Sequence, residues 1–111
     1  LMHTIDEYVP DPERDTDKLK MVQYMEKHIG ETFEGVVSGM TAWGIYVELP
    51  NTIEGMISVA SLRDGYYIYD ENHYEMVNET TGRTFKLGQR LNVNVINCDK
   101  ILRTIDFELA E

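Results

Sequence analysis

The run Gly35-Val36-Val37-Ser38-Gly39-Met40-Thr41-Ala42-Trp43-Gly44-Ile45-Tyr46-Val47-Glu48-Leu49 decides the fold. Within it, Ile45, Val47 and Leu49 alternate with Tyr46 and Glu48, the period of two that turns one face of a strand toward a core. Upstream, Phe33 to Met40 is strand-like. Downstream, Pro50-Asn51-Thr52 is turn chemistry, and Glu54 to Val59 reads as a third strand, followed by a possible helical turn at Val59-Ala60-Ser61-Leu62. The alternation returns in Leu91, Val93 and Val95 against Asn92 and Asn94, and in Ile105, Phe107 and Leu109 against Thr104, Asp106 and Glu108. Short half-buried strands in succession predict an all-β fold, a small closed or nearly closed barrel of five strands. The stretch Arg63 to Leu87 is too long for a plain loop. It holds Tyr66, Tyr67, Tyr69, Tyr74 and Phe85 with a Thr81-Gly82 turn signal, so an inserted hairpin with a small satellite core is expected over about 63–87.

Ahead of the barrel, Asp11-Pro12-Glu13 reads as a helix start: an N-cap, a proline at the first helical position and acids in the first turn. Leu19, Val22, Met25 and Ile29 recur at helical steps and Gly30 follows as a stop, predicting an amphipathic α-helix over roughly 12–29. Its stripe should pack on the barrel or on a part of a longer parent. The expected organisation is a linker and helix in 1–32 and the barrel domain in 33–111. The opening Leu1-Met2-His3 carries neither an initiator Met nor a basic, apolar leader, and the chain is expected to be a piece of a larger protein.

Charge is the strongest compositional signal: 10 Lys+Arg against 20 Asp+Glu, a net of −10. Residues 1–32 carry eight acids and four bases and residues 33–111 twelve and six, so the acidity is spread along the chain and neither part is a basic patch. Taken alone, this opposes binding to a polyanion, whose affinity Lys and Arg normally supply. No apolar run reaches the roughly 18 residues of a membrane-spanning helix. The single cysteine, Cys98, can form neither an internal disulfide nor a cysteine-based zinc site, which fits a reducing, cytoplasmic location. Asp11, Glu13, Asp15 and Asp17 have the spacing of a calcium loop, but the Gly and Glu such a loop needs are Thr16 and Val22. His3, His28 and His73 have no ligand-like spacing. No phosphate-binding loop, dinucleotide fingerprint or nucleophile motif is present, so neither catalysis nor a metal or cofactor is expected in this chain.

The run quoted above, continued through Ile53-Glu54-Gly55-Met56-Ile57, Lys86-Leu87-Gly88-Gln89-Arg90-Leu91 and Asp99-Lys100-Ile101-Leu102-Arg103-Thr104-Ile105, resembles the S1 RNA-binding domain. This is the OB-fold module named after the largest protein of the small ribosomal subunit. The likeness covers about 33–109. Glu13-Arg14-Asp15, Lys18-Leu19-Lys20, Tyr24-Met25, Pro50-Asn51-Thr52, Asp64-Gly65-Tyr66-Tyr67 and Arg103-Thr104-Ile105-Asp106-Phe107 further resemble the C-terminal module of the ribonuclease R family. That resemblance implies a five-stranded OB-fold Greek-key barrel serving as the single-stranded RNA-binding domain of a processive 3′-to-5′ exoribonuclease. The parent's catalytic domain would precede it and use Mg; its aspartate cluster is not in this sequence.

The resemblance assigns RNA contacts to Trp43, Tyr46, Ser58, Asp99 and Arg103. Bases stacking on exposed aromatics of one barrel face is how such barrels hold single strands. On strict alternation, however, Trp43 falls in phase with buried Ile45 and out of phase with Tyr46; both can face RNA only if Gly44 breaks the pleat. Otherwise Trp43 is a core residue. Arg103 would meet phosphate or base, with Asp99 orienting it; the plainer reading is a surface ion pair worth at most about 1 kcal/mol. Ser58 stands where the family usually has His, and can hydrogen-bond but not stack. With so few bases, binding should be weak and stacking-driven, with a salt slope of about one or two released ions. The alternative function is an acidic protein-interaction module that uses the tyrosine-rich insertion.

Overall fold

In the computed structural model, which describes residues 15–110, the alternating segments become eight strands. In chain order they follow helix α1 (Asp15–Glu26): β1 (Thr32–Thr41), β2 (Gly44–Glu48), β3 (Glu54–Ser58), a 3-10 turn (Val59–Ser61), β4 (Tyr67–Asp70), β5 (Glu75–Asn78), β6 (Thr84–Lys86), β7 (Arg90–Asp99) and β8 (Thr104–Leu109). Five of them close a barrel in the order β1-β2-β3-β8-β7. All its pairs are antiparallel except β3 with β8. This is the Greek-key barrel of an OB-fold.

The barrel closes because the apolar phase of each strand points inward together. Phe33, Ile45, Val47, Ile53, Ile57, Val93, Val95 and Phe107 are at most 1% exposed, each worth roughly 1.5–3 kcal/mol of burial. Packing this tight leaves no room for a side chain at several glycines, Gly44 and Gly55 among them. A Cβ on Gly55 would lie 2.7 Å from the Phe107 ring, and one on Gly44 would lie 2.5 Å from the Ile57 carbonyl oxygen. The two long strands bend at register shifts, between Val37 and Gly39 on β1 and between Val95 and Asn97 on β7. Such bulges sharpen the curvature a small barrel needs.

Helix α1 buries Met21, Val22 and Met25 in the same core and packs against β7 and β8. It is shorter than its apolar period suggests. The chain leaves the helix at Glu26 through a turn in which the His28 amide donates to the Met25 carbonyl. Gly30, in a left-handed conformation (φ 93°), then redirects it into β1. Ile29 therefore falls outside the helix and is 47% exposed, Leu19 is half-buried, and Met21 takes the inward place. The Asp11-Pro12-Glu13 helix start lies outside the described residues, as do Asp11 and Glu13 of the calcium-like spacing.

The insertion between β3 and β7 is a hairpin of β4 and β5 extended by a third strand, β6. Tyr67, Met76 and Phe85 are its buried face and run on into the barrel core, so its packing is continuous with the barrel and is not a separate satellite. The tyrosines divide: Tyr67 is core, Tyr69 half-buried, and Tyr66 and Tyr74 are 68% and 58% exposed.

Candidate nucleic-acid interface

The outward phase of the barrel strands lines up across the sheet. Gly39 of β1 faces Tyr46 of β2, Tyr46 faces Met56 of β3, Met56 faces Asp106 of β8, and Asp106 faces Asn97 of β7. Every strand of the barrel contributes one residue to this row. A groove of about 440 Å³ runs along it, bordered by Tyr46, Glu54, Met56, Asn97, Asp99, Arg103 and Asp106. Tyr46, Asp99 and Arg103, distant in sequence, are thus brought to one place.

Trp43 does not line that groove. It sits in the two-residue connection between β1 and β2 and is 76% exposed. The phase conflict disappears because β2 begins at Gly44: Gly44 and Ile45 are buried in succession, and Trp43 belongs to the turn before the pleat starts. The turn is tied down on both sides. The Trp43 amide donates to Thr41 Oγ1 at 3.2 Å, and the Val59 amide donates to the Trp43 carbonyl at 2.9 Å. On this anchored backbone, only the two side-chain torsions of the exposed indole remain to be fixed on stacking.

Ser58 faces Gly44 at the same end of the sheet. Its Oγ accepts from the Ala60 amide at 3.2 Å, and its carbonyl accepts from Ser61 Oγ at 2.7 Å. The residue thereby caps the 3-10 turn. Asp99 ends β7, where its Oδ1 accepts from the amides of Ile101 and Leu102 at 2.9 and 3.0 Å. Its carboxylate shapes the β7–β8 turn, and through that turn it places Arg103. Arg103 itself has a left-handed backbone (φ 58°) and donates through Nη1 to the Lys100 carbonyl. Ile101 and Leu102, at the tip of this turn, are 88% and 69% exposed.

Electrostatically the groove is acidic. Glu54, Asp99 and Asp106 border it against the single guanidinium of Arg103. Ser38 Oγ donates to Glu54 Oε2 at 2.6 Å, and Asn97 Nδ2 donates to Asp106 Oδ2 at a long 3.4 Å. Met56, Asn97 and Asp106 were not singled out from the sequence. Their signal was available in part: Met56 and Asp106 are each out of phase with buried neighbours. Nearby on β7, half-buried Cys98 has its thiol pushed up to about 11 by desolvation, with the carboxylates of Glu26 and Asp106 adding to the effect. That thiol is inert at neutral pH. Among the described residues no group of His, Cys, Asp and Glu could hold a metal ion. Among them, too, no helix is long and apolar enough to cross a membrane.

Comparison with known proteins agrees with this fold. The S1 RNA binding domain family matches residues 26–110. Ribonuclease R 1 of Lactococcus lactis subsp. lactis is 39% identical over 98 residues, covering 88% of this chain and 12% of the relative. Ribonuclease R of Thermotoga maritima is 40% identical over 100 residues, covering 89% and 14%. Among solved structures, Mycoplasma genitalium RNase R in complex with ribose methylated single-stranded RNA superposes with a TM-score of 0.83 at 25% identity, covering 88% of this chain and 15% of that one. The chain thus spans only 12–14% of the length of these two curated relatives.

Proposed function

We propose, because this chain belongs to the S1 RNA-binding domain family, that it binds single-stranded RNA as the substrate-binding, C-terminal domain of a ribonuclease-R-like 3′-to-5′ exoribonuclease. The observation that carries this reading is the exposure of Trp43 beside a sheet row that presents Tyr46 in the same groove as Arg103. Trp43 and Tyr46 stack bases, Arg103 meets the backbone, and Asp99 and Ser58 hold the two turns that frame the face. Hydrolysis belongs to a catalytic domain elsewhere in a cytoplasmic parent, with Mg as its metal. In such a parent this module handles the strand and does no chemistry.

The acidic groove sets the mode of binding. With one guanidinium facing three carboxylates, affinity comes from stacking, at about 1–3 kcal/mol per base, and phosphate neutralisation adds little. Titration of the chain with single-stranded oligonucleotides, followed by the fluorescence of its only tryptophan, tests this directly. Quenching is expected, with affinity weakened roughly 5- to 150-fold by Tyr46→Ala and a salt slope of about one or two ions. An unchanged signal at high micromolar RNA and low salt would sink the reading. In that case the exposed Tyr66 and Tyr74 of the insertion favour the second reading, an acidic protein-interaction module.

A further inference from the structure

The groove beside Tyr46 carries three carboxylates, Glu54, Asp99 and Asp106, and the last of them bears on which bases it can hold. The strand register runs Tyr46, Met56, Asp106, Asn97, and all four side chains line the same groove. Neighbouring strands lie about 4.8 Å apart, so Asp106 stands about 10 Å along the row from Tyr46. Met56, between them, is a half-buried apolar floor. A base resting on Tyr46 and lying over Met56 points its far edge at the Asp106 carboxylate.

An ionised carboxylate only accepts hydrogen bonds. Glu54 and Asp99 border the same groove and add negative potential there, which confines phosphate to the neighbourhood of Arg103 and leaves the space over Met56 to a base. Asn97 holds the Asp106 carboxylate from the far side through Nδ2, at a distance of 3.4 Å that leaves the carboxylate free to take a better donor.

We propose that Asp106, positioned by Asn97, is a base-edge subsite that selects bases carrying an exocyclic amino group and, between the pyrimidines, cytosine over uracil. The inference rests on the RNA-binding reading above. Cytosine offers its N4 amino group to an acceptor, the pairing by which Asp and Glu read that base elsewhere. Uracil presents two carbonyl oxygens flanking a single N–H, and those oxygens are repelled by the carboxylate. The two bases have the same size, so stacking on Tyr46 treats them nearly alike and the difference isolates the edge contact.

The test is a fluorescence titration of the whole chain with oligo(C) and oligo(U) of equal length at neutral pH and fixed low salt. Wild type should bind oligo(C) about 5- to 10-fold more tightly. Asp106→Asn, nearly isosteric and able to donate to the uracil carbonyl, should bring the ratio to about one while oligo(U) still quenches Trp43. Asp106→Ser serves as a second variant should the first unfold, with the same expected ratio. Equal binding of both oligonucleotides by wild type would overturn the subsite. So would an Asp106→Asn variant that weakens both equally. Failure of both oligonucleotides to bind wild type at all would overturn the RNA reading itself, a distinguishable result.

Discussion

The barrel closes on side chains with no hydrogen-bonding groups, Phe33, Ile45, Val47, Ile57, Val93 and Phe107, whereas the inserted sheet has a buried asparagine at the end of its middle strand. Asn78 is 1% exposed, and its amide is fully engaged. Oδ1 accepts from the amides of Thr80 and Thr81 at 2.8 and 3.0 Å, and Nδ2 donates to the Asp64 carbonyl at 3.2 Å. Around it, the Tyr67 hydroxyl donates to Asp64 Oδ2 at 2.9 Å, Arg83 Nη1 reaches the same oxygen at 3.3 Å, and the guanidinium lies 5.0 Å from the centre of the Phe85 ring. The barrel's stability is therefore spread over many interchangeable apolar contacts. The insertion's depends on a few directional ones, because three short strands have too little apolar face to stand alone.

Perturbations sharpen this contrast. The largest effect is expected from Phe107→Ala, which empties the barrel beneath Gly55; about 4 kcal/mol should be lost in chemical denaturation, with the five barrel strands melting together. A barrel that keeps near-wild-type stability would mean its core is less tightly packed than the close approach at Gly55 indicates. Next comes Cys98 on the barrel wall. Raised from 9.0 to about 11, its thiolate population at mildly alkaline pH, and hence its alkylation rate, should be about 100-fold below that of the denatured chain. Rapid labelling would show that the β7–β8 edge opens.

Smaller and more local is Asn78→Ala, which strands two amides and a carbonyl at a cost of about 2 kcal/mol. Amide hydrogen exchange should accelerate in 67–86 while β1, β2 and β7 keep their protection. Uniform acceleration would break the comparison, making the two sheets one cooperative unit. The smallest effect concerns pH. The Tyr67 hydroxyl chiefly holds the Asp64 carboxyl below its ordinary value, against desolvation as the next largest influence and with help from its own backbone amide and from Arg83. A depressed folded value stabilises above the unfolded one and is lost as pH falls through the folded value. Exchange in the insertion should thus quicken on acidification below about pH 4 before the barrel responds, and Asp64→Asn should erase that difference.

How much of this was legible in the chain differs between the same two regions. Strict alternation identified the inward faces of the barrel strands, since a period of two leaves a strand with one buried side whatever its partners are. It misled only at Trp43, where phase counted through a turn has no meaning. The helix end at Glu26 was missed because the apolar period runs on to Ile29, while the chain must leave the helix early to enter β1. In the insertion, β6 is three residues long and shows no period, and nothing about Asn78 as a residue type announces burial. The candidate RNA contacts were legible by resemblance to a family; Met56, Asn97 and Asp106 were not, because their common feature is a shared row.

By itself the sequence determined that this is a small acidic β-barrel with a helix in front and an insertion within, and that its composition offers a polyanion little charge attraction. Both follow from local pattern and composition, which need no knowledge of pairing. Only the tertiary structure decided which outward residues stand together. Tyr46, Met56, Asp106 and Asn97 meet because β3 pairs with β8 in parallel and a bulge near Asn97 shifts the register of β7. Register is a relation between strands remote in the chain, and a slip of one residue would have turned every one of those side chains inward.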